Sequence, residues 1–406
     1  MTRKNEAPSV PVTESTEASA TAAHTTNYWP LLKRFAVRLC VAFTIAVLIL
    51  VATEFYAYLR VHPNVNALEL AAKLEIQQNE SPSERQYWKE FKAANKVTYH
   101  PWVLWRRKPY GGQFISIDQD GIRRTMHNHC NDPAATTIWM FGDSVMWGAG
   151  APDSDTIPSY IAADYEEAGH PACIVNYAEK GYANTQEVIG LIEELKHTKR
   201  KPDEVLFYDG GTEAFVAYQS GVVDVHSNYL SFKNFLDNWG AYERAGFGYF
   251  KQTNTARFLQ KMGSKVEPQP KEKKKASPNL DVDAASKAIV ENYSQNMDIV
   301  NLLAKQHNFK PVFAWYPNMA VGHKELTSYE QQVLASEYHQ FPDLGLIYKA
   351  TYDRAKEMNR PDLIDLSDLL DNEKDSMYVG ISHLKPEGNK IVADRLFEIL
   401  QDAAKK

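Results

Sequence analysis

From Thr136 to Leu400 short apolar runs alternate with longer amphipathic stretches, and that alternation limits the fold more than any other feature of the chain. The runs Thr136 to Phe141, Cys173 to Tyr177, Val205 to Tyr208, Pro311 to Trp315 and Leu363 to Leu366 predict strands. Between them, Thr156 to Glu167, Thr185 to Lys196, Ala285 to Gln306 and Leu344 to Glu357 predict helices, and Glu387 to Leu400 closes the chain as another. Strands this apolar need cover on both faces, so the pattern implies βαβ units and a parallel sheet between two helical layers. The main domain is expected to begin near Asp132 and to run to 402, with an insertion near 215–284.

Ahead of it the sequence changes character twice. Glu14 to Thr26 is polar and without apolar period, so residues 1–34 read as a disordered tail. Lys33, Arg34 and Arg38 then precede an apolar stretch from Leu39 to Leu59, interrupted by Glu54. As a helix those residues reach ~31 Å, enough for a bilayer core, with Phe55, Tyr56 and Tyr58 at the far interface. The basic flank predicts a cytoplasmic N-terminus and an extracytoplasmic body. A long polar tail before the apolar run favours an uncleaved anchor at 35–60 over a removable signal. In the 61–131 lead-in, Ser81 with Glu84 forms a capping box and Pro82 opens a helix. Gln113 to Asp118 with Asp120-Gly121 predicts a hairpin.

The net charge of −6 argues against a nucleic-acid partner, which needs a basic face. The lysine-rich run between Lys261 and Pro278 reads as a solvated insertion. Phe215 to Gly248, with Tyr218, Tyr229, Phe232, Phe235 and Trp239, is expected either to wall the site or to pack in the core.

In open parallel sheets ligands bind beyond the carboxyl ends of the strands. Four loops there carry polar or glycine-rich signatures: Gly142-Asp143-Ser144, the Gly181 loop, Asp209-Gly210-Gly211-Thr212-Glu213, and Ser382-His383 before Lys385-Pro386-Glu387-Gly388-Asn389. A serine hydroxyl becomes a nucleophile when a base takes its proton, and imidazole titrates near neutrality. Ser144 and His383 supply those parts, and donors in the intervening loops suit an oxyanion. Each piece alone has a plain structural role, such as a helix cap or a turn. Met146 two residues past Ser144 excludes the G-x-S-x-G elbow.

These four blocks resemble the motif blocks of the SGNH (GDSL-type) hydrolases over roughly Thr136 to Leu400, with HLKPEGNKIVADRL the most specific piece. The resemblance implies a three-layer α/β/α flavodoxin-like domain that hydrolyses or transfers acyl esters without metal or cofactor. It makes Ser144 the nucleophile and His383 the base, and places the Ser144 and Gly181 amides in the oxyanion hole with Thr212 as a further donor. Two positions depart from the pattern: Thr212 replaces the usual asparagine, and Gly380 stands where an aspartate normally precedes the histidine by three. A Ser–His dyad is then expected, with Asp375 the nearest upstream acid. With the anchor, the expected substrate is an acyl ester of an envelope glycan or lipid. The alternatives are an accessory module that has lost the chemistry, and a glycan acyltransferase working with a membrane partner.

His127, His129 and Cys130 lack a matching ligand cluster for a zinc site and read as a polar loop. Cys130 precedes the first strand and Cys173 opens the second, so both fall at the sheet end opposite the candidate site. A disulfide between them, or two unpaired buried thiols, fits that placement.

Overall fold

The computed structural model describes residues 29–61, 81–238, 255 and 280–405. The expected polar tail, the lysine-rich run, Trp239 and the first part of the lead-in fall outside the described residues. The chain divides into two compact units. One contains the N-terminal helix and Thr255; the other contains everything described from Ser81 to Asn238 and from Leu280 onward.

In the first unit, α1 runs from Trp29 to Val61. Lys33–Tyr56 is long and apolar enough to cross a membrane, and none of it is buried in protein. Three of its polar side chains have hydrogen-bond partners. Thr44 and Thr53 return their hydroxyls to the carbonyls of Cys40 and Ile49. Glu54, the acid that interrupts the apolar run, accepts from both the amide and the hydroxyl of Thr255, each at 2.8 Å.

The second unit starts with α2 (Pro82–Ala93), where the Ser81–Glu84 capping box forms as the sequence indicates. Two small antiparallel ladders follow. One pairs β1 (Val97–His100) with β2 (Leu104–Arg107), and the other pairs β3 (Tyr110–Gly111) with β4 (Ser116–Ile117). Glu90 of α2 accepts from the amides of Gln113, Phe114 and Ile115, which fastens the helix to the second ladder. Tyr87, Ala94, Ile115 and Ile117 join the core that also holds Ile138 and Met140. The lead-in therefore packs as part of the main body.

The sheet holds β5 (Thr136–Gly142), β6 (Ala172–Asn176), β7 (Glu204–Asp209), β8 (Lys310–Trp315) and β9 (Leu363–Asp365). All pairs are parallel, in the spatial order β6-β5-β7-β8-β9. That is the 2-1-3-4-5 order of flavodoxin-like sheets, with the switch point between the first and third strands. Alternate residues face opposite layers. Ile138, Met140, Leu206 and Val312 meet α4 (Ile157–Glu167) and α11 (Pro386–Lys405). Trp139, Phe141, Val205, Phe207 and Phe313 meet α5 (Asn184–His197), α8 (Val282–His307) and α10 (Leu344–Met358). Both alternations are apolar because both faces are covered, and the fold is a three-layer α/β/α sandwich.

The sequence reading missed α3 (Ser144–Trp147), α6 (Thr212–Ser220), α7 (Tyr229–Asp237) and α9 (Ser328–Gln340). Cys130 and Cys173 are joined by a disulfide across 43 residues of sequence. Cys173 pairs with Thr137 at the start of β5, the sheet end away from Ser144. Closing a loop of that length restricts the unfolded chain, worth about 4 kcal/mol on the chain-entropy account. The double substitution Cys130→Ser/Cys173→Ser should lower the unfolding free energy by roughly that amount in urea titrations. A loss under about 1 kcal/mol would contradict it.

Candidate active site

Ser144 sits where β5 gives way to α3, and the turn that places it needs the glycine before it. Gly142 has φ of +154°, and a Cβ there would meet the Tyr208 carbonyl oxygen at 2.6 Å. Asp143 then caps α3, its Oδ1 accepting from the Val145 amide at 2.7 Å. Its other oxygen accepts from the Thr212 hydroxyl and the Tyr316 hydroxyl, both at 2.6 Å. Asp143 is buried and fully engaged, so the residue that carries Ser144 is held on three sides.

His383 precedes α11 in a tight return of the chain. Its carbonyl accepts from the amides of Val379 and Gly380, and Tyr378 bridges to Leu384. The ring Nε2 lies 2.8 Å from Ser144 Oγ, across 239 residues of sequence. Burial pushes the His383 pKa below its ordinary value; Lys180 adds to that and Asp143 partly offsets it. The lowered pKa favours the neutral imidazole. Among the described residues no carboxylate hydrogen-bonds to the ring, and Asp375 makes no bond to it. Gly380 stands against the far nitrogen: a Cβ on it would lie 3.0 Å from Nδ1.

Ser144, His383 and Gly181 line one cavity of about 450 Å³, with Trp88, Phe91, Asn95, Arg107 and Lys180 among its other walls. Gly181 adopts φ of +81°, a left-handed turn that a side chain would strain. Neither its amide nor that of Ser144 donates to an acceptor among the described residues. Two free N–H groups in the loops flanking a serine–histidine pair are what an oxyanion needs.

Thr212 is placed differently from the other expected site residues: its hydroxyl donates to Asp143, and it is not among the residues that line the cavity. Among the described residues, the aromatic stretch after Phe215 does not wall the cavity either. Tyr218 is buried, Phe215 packs edge-on to Phe341 at 5.1 Å, and Phe232 packs against His226. His127 and His129 hydrogen-bond to Glu166, and the disulfide occupies Cys130.

The walls that sequence reasoning missed come from the lead-in. Arg107 of β2 donates from Nε to Glu179 Oε1 at 2.6 Å and from its amide to Oε2 at 3.0 Å. Glu179 lies in the Gly181 loop, and its own amide donates to the Gly142 carbonyl. Arg107 and Glu179 thus tie the Gly181 loop to the turn that carries Ser144. A second group of acids lies behind the third block. Burial drives Asp209 and Glu187 upward in pKa, and it brings Glu213 to about 7. Asp209 Oδ2 accepts from Asn184 and Tyr293, a hydrogen-bond set that suits a buried acid behind the strand end.

No family model matches the chain, and no curated protein matches it. Solved structures similar to it include a lipolytic protein of the G-D-S-L family from Veillonella parvula, at 13% identity and a TM-score of 0.36, covering 66% of this chain and 99% of that one. An acetyl xylan esterase is similar at 15% identity and a TM-score of 0.35, covering 65% and 99%. The psychrotrophic esterase EstA from a Pseudoalteromonas species is similar at 10% identity and a TM-score of 0.33, covering 67% and 100%. The likeness is one of fold. What the chain does must be argued from its own site.

Proposed function

We propose that this chain is a membrane-anchored serine hydrolase of the SGNH type, acting on acyl esters through a Ser144–His383 dyad. The observation that carries the reading is the 2.8 Å contact between Ser144 Oγ and His383 Nε2 inside an open cavity. In the mechanism, neutral His383 takes the Ser144 proton as Oγ attacks the ester carbonyl. The oxyanion is received by the amides of Ser144 and Gly181. His383 then gives its proton to the alcohol as the ester C–O bond breaks; a water from solvent passes a proton to His383 as it attacks the acyl-serine, and His383 returns that proton to Ser144 Oγ as the acid leaves. The α1 helix suits a bilayer anchor, and its basic flank suits an extracytoplasmic site meeting envelope glycans or lipids.

A second reading keeps the fold without the chemistry, as an accessory module. It is favoured by one observation: the Nδ1 side of His383 faces Gly380 where a carboxylate would orient it. A fluorophosphonate probe separates the two, since it labels only an activated serine. The expected result is covalent labelling at Ser144, mapped by peptide mass. The reactive form needs unprotonated His383, whose pKa is lowered, so labelling should persist as pH falls and be lost only below about 6.5. An unlabelled, folded protein would leave the accessory reading standing.

A further inference from the structure

The charges around the cavity do not balance, and the imbalance falls on one residue. Arg107 is paired with Glu179 at 2.6 Å, and Arg123 with Asp153 at 2.9 Å. Lys180, between Glu179 and Gly181, has no carboxylate within ion-pair distance among the described residues. Its Nζ donates to Asn95 Oδ1 at 3.0 Å and lies 3.6 Å from the centroid of the Phe91 ring. Asn95 Oδ1 also accepts from Arg107, so it is shared and offers little to a third donor. An ammonium placed on aromatic faces with one neutral hydrogen bond keeps two N–H donors unmatched by charge.

We propose that Lys180 is a specificity-determining residue of this cavity, and that the ester it selects is carried by a sugar bearing an anionic group, a carboxylate or a phosphate, beside the acylated hydroxyl. The proposal rests on the hydrolase reading for the word ester and on the cavity walls for the rest. Lys180 lines the same cavity as Ser144 and His383 and directly precedes Gly181. An anion held there lies within one residue of the oxyanion loop, so its ester partner is brought to Ser144. Trp88 and Phe91 offer flat apolar faces and Ala149 and Val379 add smaller apolar patches, while Asn95, Arg107, Lys180, Ser144 and His383 interrupt them with polar groups. A wall of that mixture suits a sugar ring more than a long acyl tail, which asks for a continuous apolar lining. Burial and the Arg107 charge pull the Lys180 pKa down to about 7, so its present surroundings do not support the ammonium fully. A bound anion would.

The test compares an acetylated uronate oligosaccharide with its carboxyl-reduced, neutral counterpart, and an acetylated sugar phosphate with the free acetylated sugar. The wild-type chain in detergent should favour each anionic ester by about tenfold or more in kcat/KM, the usual size of one charge-assisted contact. In Lys180→Met that preference should collapse toward one, and in Lys180→Arg it should be largely kept. Equal turnover of charged and neutral esters by the wild type would overturn the proposal while leaving the hydrolase reading intact. A direct binding titration with the deacetylated uronate and phosphate ligands runs beside it. If no ester turns over and Ser144 does not label, the hydrolase reading fails, and Lys180-dependent binding of the uronate or phosphate then decides this proposal alone. Lys180-dependent binding to phosphatidylglycerol vesicles, with no binding of either sugar, would assign the anion to a lipid headgroup and overturn the sugar assignment.

Discussion

Replacing Ser144 by alanine should lower kcat/KM for an activated acetyl ester by about a hundredfold, with the fold unchanged. The size follows from what this site contains. In a complete serine–histidine–acid triad, removing the serine costs about 2 × 10⁶ in rate and removing the acid alone about 3 × 10⁴. A site built without the acid has already forgone the second factor, and the quotient of about 70 is what the serine and histidine still supply together. On the proposed dyad, with Gly380 against Nδ1, this chain falls in that class. His383→Ala should cost the same factor, and the double substitution no more than either single one, because each group is inert without the other. Stability should hardly move, since among the described residues Ser144 Oγ hydrogen-bonds only to His383, and it is half-buried. Steady-state kinetics on purified variants decide it. Single variants that turn over as fast as wild type, or losses that multiply in the double variant, would rule out the dyad as a unit.

How much of this was legible beforehand depends on the range over which each feature is encoded. The five strands were readable because both faces of each are apolar, and Thr136 to Phe141 differs from the observed β5 by one residue. The disulfide was legible as a possibility from the placement of Cys130 and Cys173, while the pairing needed the parallel register of β5 with β6. The α9 helix was missed because it buries only Glu330 and Val333, which leaves almost no apolar stripe. Its Thr327–Glu330 capping box was in the sequence and could have marked it. The cavity walls were not legible at all. Trp88, Phe91 and Arg107 reach the site because the lead-in docks onto a loop 72 residues away, from Arg107 to Glu179, and nothing periodic announces such a contact. The partner of Thr212 was not legible for a related reason. A threonine at a strand end can serve a ligand or a neighbour, and only the position of Asp143, 69 residues earlier, decides between them.

The docking of that lead-in gives the second large effect. Glu179 is about 1% exposed, and its carboxylate accepts from the Arg107 side chain, the Arg107 amide and the Lys180 amide. Glu179→Ala leaves the Arg107 guanidinium buried without a counter-charge and frees two backbone donors. Breaking a buried pair from one side typically costs 3–5 kcal/mol, about as much as many domains have to spare. The unfolding free energy in urea should fall by about that much. Because Glu179 also holds the loop that carries Lys180 and Gly181, Ser144 should label slowly with the fluorophosphonate even where the variant remains folded. Removing both charges, in Glu179→Met/Arg107→Met, separates the two contributions. No charge is then stranded, so most of the stability should return, whereas the amides of Arg107 and Lys180 still lack their acceptor and labelling should stay slow. If the single variant lost less than about 1 kcal/mol, water would have to reach the pair. If the double variant labelled at the wild-type rate, the loop would be held by something other than this carboxylate.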